Sequence, residues 1–432
     1  IEYGGEIFAV FELPASELYG LLAAIIILVL AFGSVLAMGL PIGTALIGLG
    51  AGTSLVTILS HFVGMPDFTT SLVAMIGLGV GIDYALFIVT RYREGLENGL
   101  SVEDAVVDAV DTSGRAVIFA GITVIISLLG LFLMGLAFAR GLAIGAVVGV
   151  LLMIIASITL LPALLAVVKH RVNVTTRAAL VALVAFVLIS LIAVINHSIM
   201  IFLVGLAITV GVTLISLVIK PLRTPIKHRL KKAKELTFWY RWSRFIQRRP
   251  WSAALSATAI LLVLAAPLAS IRLGFGDNGN APTTTTVRKA FDMLADGFGP
   301  GFNGPLYITV QGDTAANPDA LAAFVGTLQS TEGIAFAQST PASADGSLSL
   351  VIAYPTTAPQ DAATYELVKF LRSDVIPPTG VDAKVGGFTA SGADFATAIG
   401  SRMPYLFIGV LSLSFLLLMA VFRSLLVPLK AV

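Results

Sequence analysis

The stretch Met75-Ile76-Gly77-Leu78-Gly79-Val80-Gly81-Ile82-Asp83-Tyr84-Ala85-Leu86-Phe87, running on to Arg91-Tyr92-Arg93-Glu94, decides how this chain is read. It is apolar and long, and a hydrocarbon core about 30 Å thick takes roughly 20 apolar residues as a helix. One carboxylate, Asp83, interrupts it. Asp83 precedes Arg91 by about 12 Å of helix at 1.5 Å per residue, which places it near mid-membrane if Arg91 marks the interface. An Asp at that depth costs roughly 2.5–3.5 kcal/mol on insertion scales, so such a residue is expected to face a polar cavity or a partner.

A carboxyl there can work as a proton carrier. Low dielectric favours the neutral acid, and a nearby cation or donor favours the anion. Surroundings that alternate between the two conditions load a proton on one side and release it on the other. Tyr84 adds a hydroxyl that donates and accepts. Successive helix positions point about 100° apart, so Tyr84 is expected to line a neighbouring face rather than bond Asp83. The plainer alternatives are a protonated Asp83 bonded to another helix and a Tyr84 that is simply packed.

Working outward, apolar residues make up 57% of the 432-residue chain and charged residues 12%, against roughly 25% charged in an ordinary soluble domain. Apolar stretches predict spans over about 17–38, 41–63, 69–91, 115–136, 141–168, 178–196, 199–219, 251–271 and 404–427. There is no cysteine, so any extracytoplasmic part must cohere without disulfides. Ile1 is no start residue and no signal peptide precedes the first span, so the chain is expected to be a piece of a longer one.

Charge orients the spans. With Ile1 outside, alternation puts the short basic loops carrying Arg91, Arg93 and Arg115, then Lys169, Arg171 and Arg177, then Arg423 and Lys430, on the inside. That is the positive-inside pattern. Asp83 is the one acidic residue assigned to the membrane interior. Glu103, Asp104, Asp108 and Asp111 in the helix-like segment 101–111 read as an ordinary solvated face.

Two regions are not spans. Residues 220–249 are basic and aromatic, and 228–249 reads as an amphipathic helix at the cytoplasmic interface, with Trp239, Trp242 and Phe245 beside Arg241 and Arg244. Such a helix rests on anionic lipid, and nothing in it calls for nucleic acid. Residues 272–401 are polar with short alternating runs. They predict strand 305–311, helix 318–330, a strand near 333–338, strand 347–353, helix 361–373 and strand 382–388. That βαββαβ order is the split βαβ of ferredoxin-like folds. The turn-rich Gly299–Pro305 leads into it. The fold class expected is therefore an α-helical polytopic membrane protein with an α+β extracytoplasmic domain.

Glycines suggest close helix approach. Gly77, Gly79 and Gly81 lie in the Asp83 helix, with Gly48, Gly50 and Gly52 in the span before it, and Gly77 and Gly81 form a GxxxG face. Thr123 and Ser127 share one face of the 115–136 helix, where they would bond Asp83, a water, or the carbonyls of their own helix. A faint repeat links Phe32-Gly33-Ser34-Val35-Leu36 to Phe422-Arg423-Ser424-Leu425-Leu426. Duplicated units are common in transporters.

Three blocks together resemble a known family. They are Gly79-Val-Gly-Ile-Asp-Tyr-Ala-Leu-Phe87 with Arg91-Tyr-Arg-Glu94, Gly114-Arg-Ala-Val-Ile-Phe-Ala-Gly-Ile-Thr-Val124, and Thr159-Leu-Leu-Pro-Ala-Leu. They resemble the mycobacterial membrane protein large (MMPL) family of the resistance-nodulation-division (RND) superfamily, over nearly the whole chain except about 172–219. The resemblance implies proton-driven export of lipids or other hydrophobic molecules across a bacterial inner membrane. It implies an RND-like helix bundle in two halves, two extracytoplasmic porter domains, and a relay of Asp-Tyr pairs, one from each half. Asp83 and Tyr84 match the first pair, and the second is expected beyond Val432. Residues 1–16 then correspond to the tail of the first porter domain, 272–401 to the second, and 169–219 to an extra transmembrane hairpin turning at Asn196-His197-Ser198.

The partners expected are membrane lipids, a hydrophobic or lipidic substrate and protons, with no cofactor, no metal and no nucleic acid. Homo-oligomerisation is left open. A Patched-like protein that senses lipid or sterol without pumping is the alternative. An intramembrane aspartyl protease needs two carboxylates sharing a site, and the spans carry one, so no enzyme is expected.

Overall fold

The computed structural model describes residues 2–4, 16–173, 177–195, 200–201, 204–205, 207–208, 238–271 and 273–431. The chain divides into two compact units. One comprises Leu13–Gln247 with Tyr405–Val432, the other Ile1–Glu12 with Arg248–Pro404. The expected turn at 196–198, most of span 199–219 and residues 220–237 lie outside the described residues.

The first unit is helical. Its helices are α1 (Ser16–Phe32), α2 (Val35–Leu59), α3 (Thr69–Glu97), α4 (Val102–Ala109), α5 (Arg115–Leu129), α6 (Ala137–Ile158), α7 (Leu160–Val168), α8 (Arg177–Ile195) and α9 (Phe238–Arg248). Six helices of the described chain are long and apolar enough to cross a membrane, and Tyr19–Phe32 and Ala182–Ala193 are shorter apolar helices. This is a multi-pass membrane protein.

The first boundary falls earlier than hydropathy predicts. The expected break between 38 and 41 is instead at Gly33 and Ser34, and Pro41 lies inside α2. Gly33 takes φ 61°, which a residue without Cβ adopts freely. Ser34 caps α2, its hydroxyl accepting from Ala37 N at 3.3 Å and donating to Val172 O at 2.6 Å. Hydropathy is blind to this corner because both residues sit in an unbroken apolar run. Span 141–168 also divides, at Thr159, just before Pro162, which has no N–H for the helical bond to Ile158 O.

α2, α3 and α6 meet through small residues. A Cβ on Gly81 would lie 2.8 Å from Met153 Sδ and 3.0 Å from Ala45 Cβ, and one on Gly48 would lie 3.1 Å from Met153 Sδ. A Cβ on Gly52 would lie 3.6 Å from Gly149 Cα. Gly77 likewise abuts Met153. Gly79 and Gly50 do not take part, since a Cβ on either would meet nothing within 4 Å. Gly77 and Gly81 thus sit where helices approach closely, and Gly79 faces open space.

The second unit opens with α10 (Pro250–Ala265), continues through α11 (Thr286–Phe298), and carries a four-stranded antiparallel sheet in the order β2-β3-β1-β4. The strands are β1 (Leu306–Gln311), β2 (Ile334–Ser339), β3 (Leu348–Pro355) and β4 (Ala383–Gly386). Helix α12 (Pro318–Gln329) joins β1 to β2, and α13 (Ala362–Phe370) joins β3 to β4. Alternation puts Leu306, Ile308 and Val310 inward with Val351, Ala353 and Val385. Ile308 lies opposite Val351 on one side and Val385 on the other. Phe324, Leu328, Leu367 and Leu371 complete that core.

Helix α11 was not expected from the sequence. Thr285 caps it through Arg288 N, and the run of threonines before it masks the helical spacing of Val287, Ala290 and Leu294. Residues 2–4 belong with this helix: Tyr3 N donates to Thr286 Oγ1 at 2.8 Å and Glu2 pairs with Lys289 at 3.6 Å. The last long helix, α14 (Phe388–Phe422), ends at Arg423 with φ 47°, and a short helix α15 (Leu426–Ala431) follows. Phe422-Arg423-Ser424 thus breaks two helices at a left-handed residue, as Phe32-Gly33-Ser34 does.

Candidate functional site

Asp83 lies in the middle of α3 and its side chain is exposed. It lines a cavity of about 320 Å³ between α1 and α3, with Gly20, Leu21 and Ala24 on one wall and Leu78 and Gly79 beside it. Gly79 leaves this face of α3 open, the role the structure assigns it in place of helix packing. Asp83 makes no hydrogen bond or ion pair with the described residues. The carboxylate is thus presented to a mostly apolar recess.

Tyr84 points elsewhere. It is 7% exposed and belongs to the helical core. Gly121 of α5 lies beside the ring: a Cβ there would sit 3.5 Å from Tyr84 Cε2, an ordinary contact, and would clash with Ile154 of α6, for which the glycine makes room. The Tyr84 hydroxyl is buried without a hydrogen-bond partner among the described residues. Three hydroxyls that sequence reasoning passed over share this condition: Thr44 of α2 and Ser157 of α6, each 1% exposed, and Ser190 of α8, fully buried. A buried hydroxyl left unpaired costs about 1–3 kcal/mol, so four among the described residues of one helical unit are an unusual outlay for packing alone. The only available signal was a lone hydroxyl within an apolar helix, which hydropathy averages away.

Thr123 and Ser127 do not reach Asp83. Thr123 Oγ1 donates to Phe119 O at 2.9 Å and Ser127 Oγ to Thr123 O at 3.0 Å. The local bond to their own helix wins because the acceptor lies one turn away and no other segment has to move.

The Arg91-Tyr92-Arg93-Glu94 run that follows Asp83 ties the end of α3 to its surroundings. Arg93 Nε donates to Asn173 Oδ1 at 2.7 Å, and its NH1 donates to Phe32 O at 3.1 Å. Its guanidinium lies 5.2 Å from the centre of the Phe32 ring. The carbonyl left over where α1 ends is therefore satisfied by α3. Tyr92 is fully buried, its hydroxyl 3.5 Å from Leu165 O. Arg91 pairs with Asp108, its Nε 2.9 Å from Oδ2 and its NH2 donating to Oδ1 at 3.5 Å. Asp108 is thus not merely part of a solvated face, a correction that only the long-range fold reveals. Asp111 pairs with Arg115.

In α9, Phe238, Trp242 and Phe245 stack along one face, with ring centres 6.3 and 5.9 Å apart. Trp239 is 74% exposed. Arg241, Arg244 and Arg248 recur at helical spacing on a separate face, and Arg244 lies 5.8 Å from the centre of the Tyr240 ring.

Comparison with known proteins places these features. The MMPL family matches residues 11–178 and 284–432. The chain is 34% identical over 96% of its length to Membrane protein YdfJ of Bacillus subtilis, covering 51% of that protein. It is 30% identical over 98% of its length to the Mycolic acid-containing lipids exporter MmpL11 of Mycolicibacterium smegmatis, covering 40% of it. It is 27% identical over 96% of its length to the Trehalose monomycolate exporter MmpL3 of Mycobacterium tuberculosis, covering 43% of it. The chain spans about half the length, or less, of these relatives.

Proposed function

The chain belongs to the MMPL family, and from that premise we propose that it serves in a proton-driven exporter of lipids or other hydrophobic molecules in a bacterial inner membrane. The observation that carries this reading is Asp83, an unpaired carboxylate opening on a recess within an apolar helix. A transmembrane potential supplies about 2.3 kcal/mol per charge per 100 mV. A carboxyl that takes up a proton from one side and yields it to the other converts that energy into movement of the helix carrying it. Tyr84 supplies a buried hydroxyl on the inner side of α3 through which a proton can pass. Transport needs no bond in the substrate to be broken, and no catalytic role is assigned.

In this reading, residues 272–401 form a ferredoxin-like porter domain on the extracytoplasmic side. Supporting it are the β2-β3-β1-β4 order, two helices in crossover positions and the basic loops at the other ends of the spans. Helix α9 rests on anionic lipid at the cytoplasmic interface through Trp239, Trp242 and Phe245, with Arg241 and Arg244 at the headgroups. Two named relatives are lipid exporters, which supports a lipidic cargo.

The test is transport in proteoliposomes. Asp83→Asn keeps the size of the side chain and removes its titration, so it should abolish pH-gradient-driven movement of a fluorescent lipid while the protein still inserts. Undiminished movement would overturn the proposal.

A further inference from the structure

Helices α2 and α6 carry two buried hydroxyls that the proposed relay does not use. In α2, Gly52, Gly48 and Thr44 recur every fourth residue, and in α6, Gly149, Met153 and Ser157 do the same, so each set shares a helix face. The two faces meet. A Cβ on Gly52 would lie 3.6 Å from Gly149 Cα, and one on Gly48 would lie 3.1 Å from Met153 Sδ and 3.2 Å from Ala156 Cβ. Descending α2 thus ascends α6, and the next step sets the turn of Thr44 against the turn of Ser157. Both residues are 1% exposed.

Neither hydroxyl takes the bond nearest to it. A Ser or Thr within a helix ordinarily can donate to the carbonyl one turn back. In α2, Thr53, Ser54 and Thr57 do so at 2.8–2.9 Å, and Thr159 at the end of α6 donates to Ile155 O at 2.6 Å. Thr44 Oγ1 and Ser157 Oγ have no partner among the described residues. Two backbone acceptors add to them. Pro41, inside α2, has no N–H for Ala37 O, and Pro162 has none for Ile158 O. Ala37 lies two turns before Thr44 on the same face of α2, and Ile158 directly follows Ser157. Helix α7 also packs against α2, and Met153 and Leu161 on either side of Ser157 are fully buried.

In a membrane interior there is no bulk solvent for such groups, and a helix interrupted by proline is completed by neighbouring side chains or by ordered water. A buried water makes roughly three hydrogen bonds, so it needs several polar groups in reach. Two hydroxyls, each able to donate and accept, and two carbonyls supply them. We infer that α2 and α6 bind ordered water between Thr44 and Ser157, hydrogen-bonded to both hydroxyls and to the carbonyls of Ala37 and Ile158. The bend at Thr159, where α6 gives way to α7, is then a hydrated joint. This site stands whether or not the protein is an exporter.

The experiment is radiolytic hydroxyl-radical labelling of the whole protein in nanodiscs, read by mass spectrometry. Radicals formed from water held inside a protein oxidise the side chains beside it. Met153 and Leu161, although fully buried, should be oxidised in the same exposure that labels Met293, which is 63% exposed. Thr44→Val and Ser157→Ala should each cut that labelling severalfold and leave Met293 unchanged. Each should also lower the melting temperature, and the double variant should melt close to the less stable single one, because both bonds run through shared water. Native protein in which neither Met153 nor Leu161 is labelled, labelling that both variants leave intact, or single variants that melt at or above the native temperature would each overturn the inference. If a variant does not fold, labelling of the native protein alone decides.

Discussion

Asp83 and Tyr84 are neighbours in sequence and lie on different sides of α3: the carboxylate opens on the recess beside Gly20 and Ala24, and the phenol is buried beside Gly121. The pair therefore does not act through a direct bond. It joins two environments across one helix, an accessible carboxylate on one side and a buried, unpaired phenol hydroxyl on the other. In the proposed mechanism, protons enter at the first and leave through the second.

Tyr84→Phe separates packing from relay. The native hydroxyl is buried unpaired, at a cost of about 1–3 kcal/mol. Removing it should leave the melting temperature in detergent unchanged or raised, while slowing proton-coupled transport. A lowered melting temperature would mean that the hydroxyl is satisfied in the membrane and that Tyr84 is structural.

Glycines in the same helix should behave differently. Gly81→Leu drives a side chain into Met153 and Ala45 and should destabilise by about 1–3 kcal/mol or more. Gly79→Ala meets nothing within 4 Å and should melt as the native protein does. Equal melting temperatures for the two variants would contradict the packing described for α2, α3 and α6.

Much of this was legible in the residues, and the failures have physical causes. The strands of the sheet domain were readable because Leu306, Ile308 and Val310 alternate with exposed positions, a period that helices do not produce. The corner at Gly33 and Ser34 was not, because its determinants are a left-handed backbone and a cap within an apolar run. Gly79 looked like Gly77 and Gly81, but positions two apart on a helix face nearly opposite ways. The pairing of Arg91 with Asp108 and the bond from Arg93 to Phe32 O depend on which helices meet, which no local pattern encodes. The recess at Asp83 was anticipated only as a chemical need of the carboxylate.

Arg93→Ala should loosen the corner between α1 and α2. Both the Phe32 carbonyl and the Asn173 amide lose their donor, a loss of about 1.5–3 kcal/mol per charged hydrogen bond. Amide exchange over 32–37 should accelerate relative to α6. Unchanged protection there would show that Ser34 alone holds the corner.

Acid should act on the turn before β3. Hydrogen bonds from the Ser343 and Ser347 hydroxyls lower the Asp345 pKa to about 2. A folded-state pKa below the unfolded value gives stability that is present above the unfolded pKa and lost as pH falls through the folded one. The turn 343–348 should therefore hold above pH ~4 and loosen as the pH approaches ~2. Amide exchange at Ser347 and Leu348 reads this directly, and Asp345→Asn should remove the pH dependence. A transition near pH 4 would mean that the serine bonds do not persist in solution.

The most direct measurement is proton flux itself, followed with a pH-sensitive dye sealed inside proteoliposomes containing a lipid cargo. The native protein should move protons down an imposed gradient, Asp83→Asn should stop them, and Asp83→Glu, which restores a carboxyl to the same recess, should recover part of the flux. Native proton flux in the Asp83→Asn protein would contradict the account at its centre.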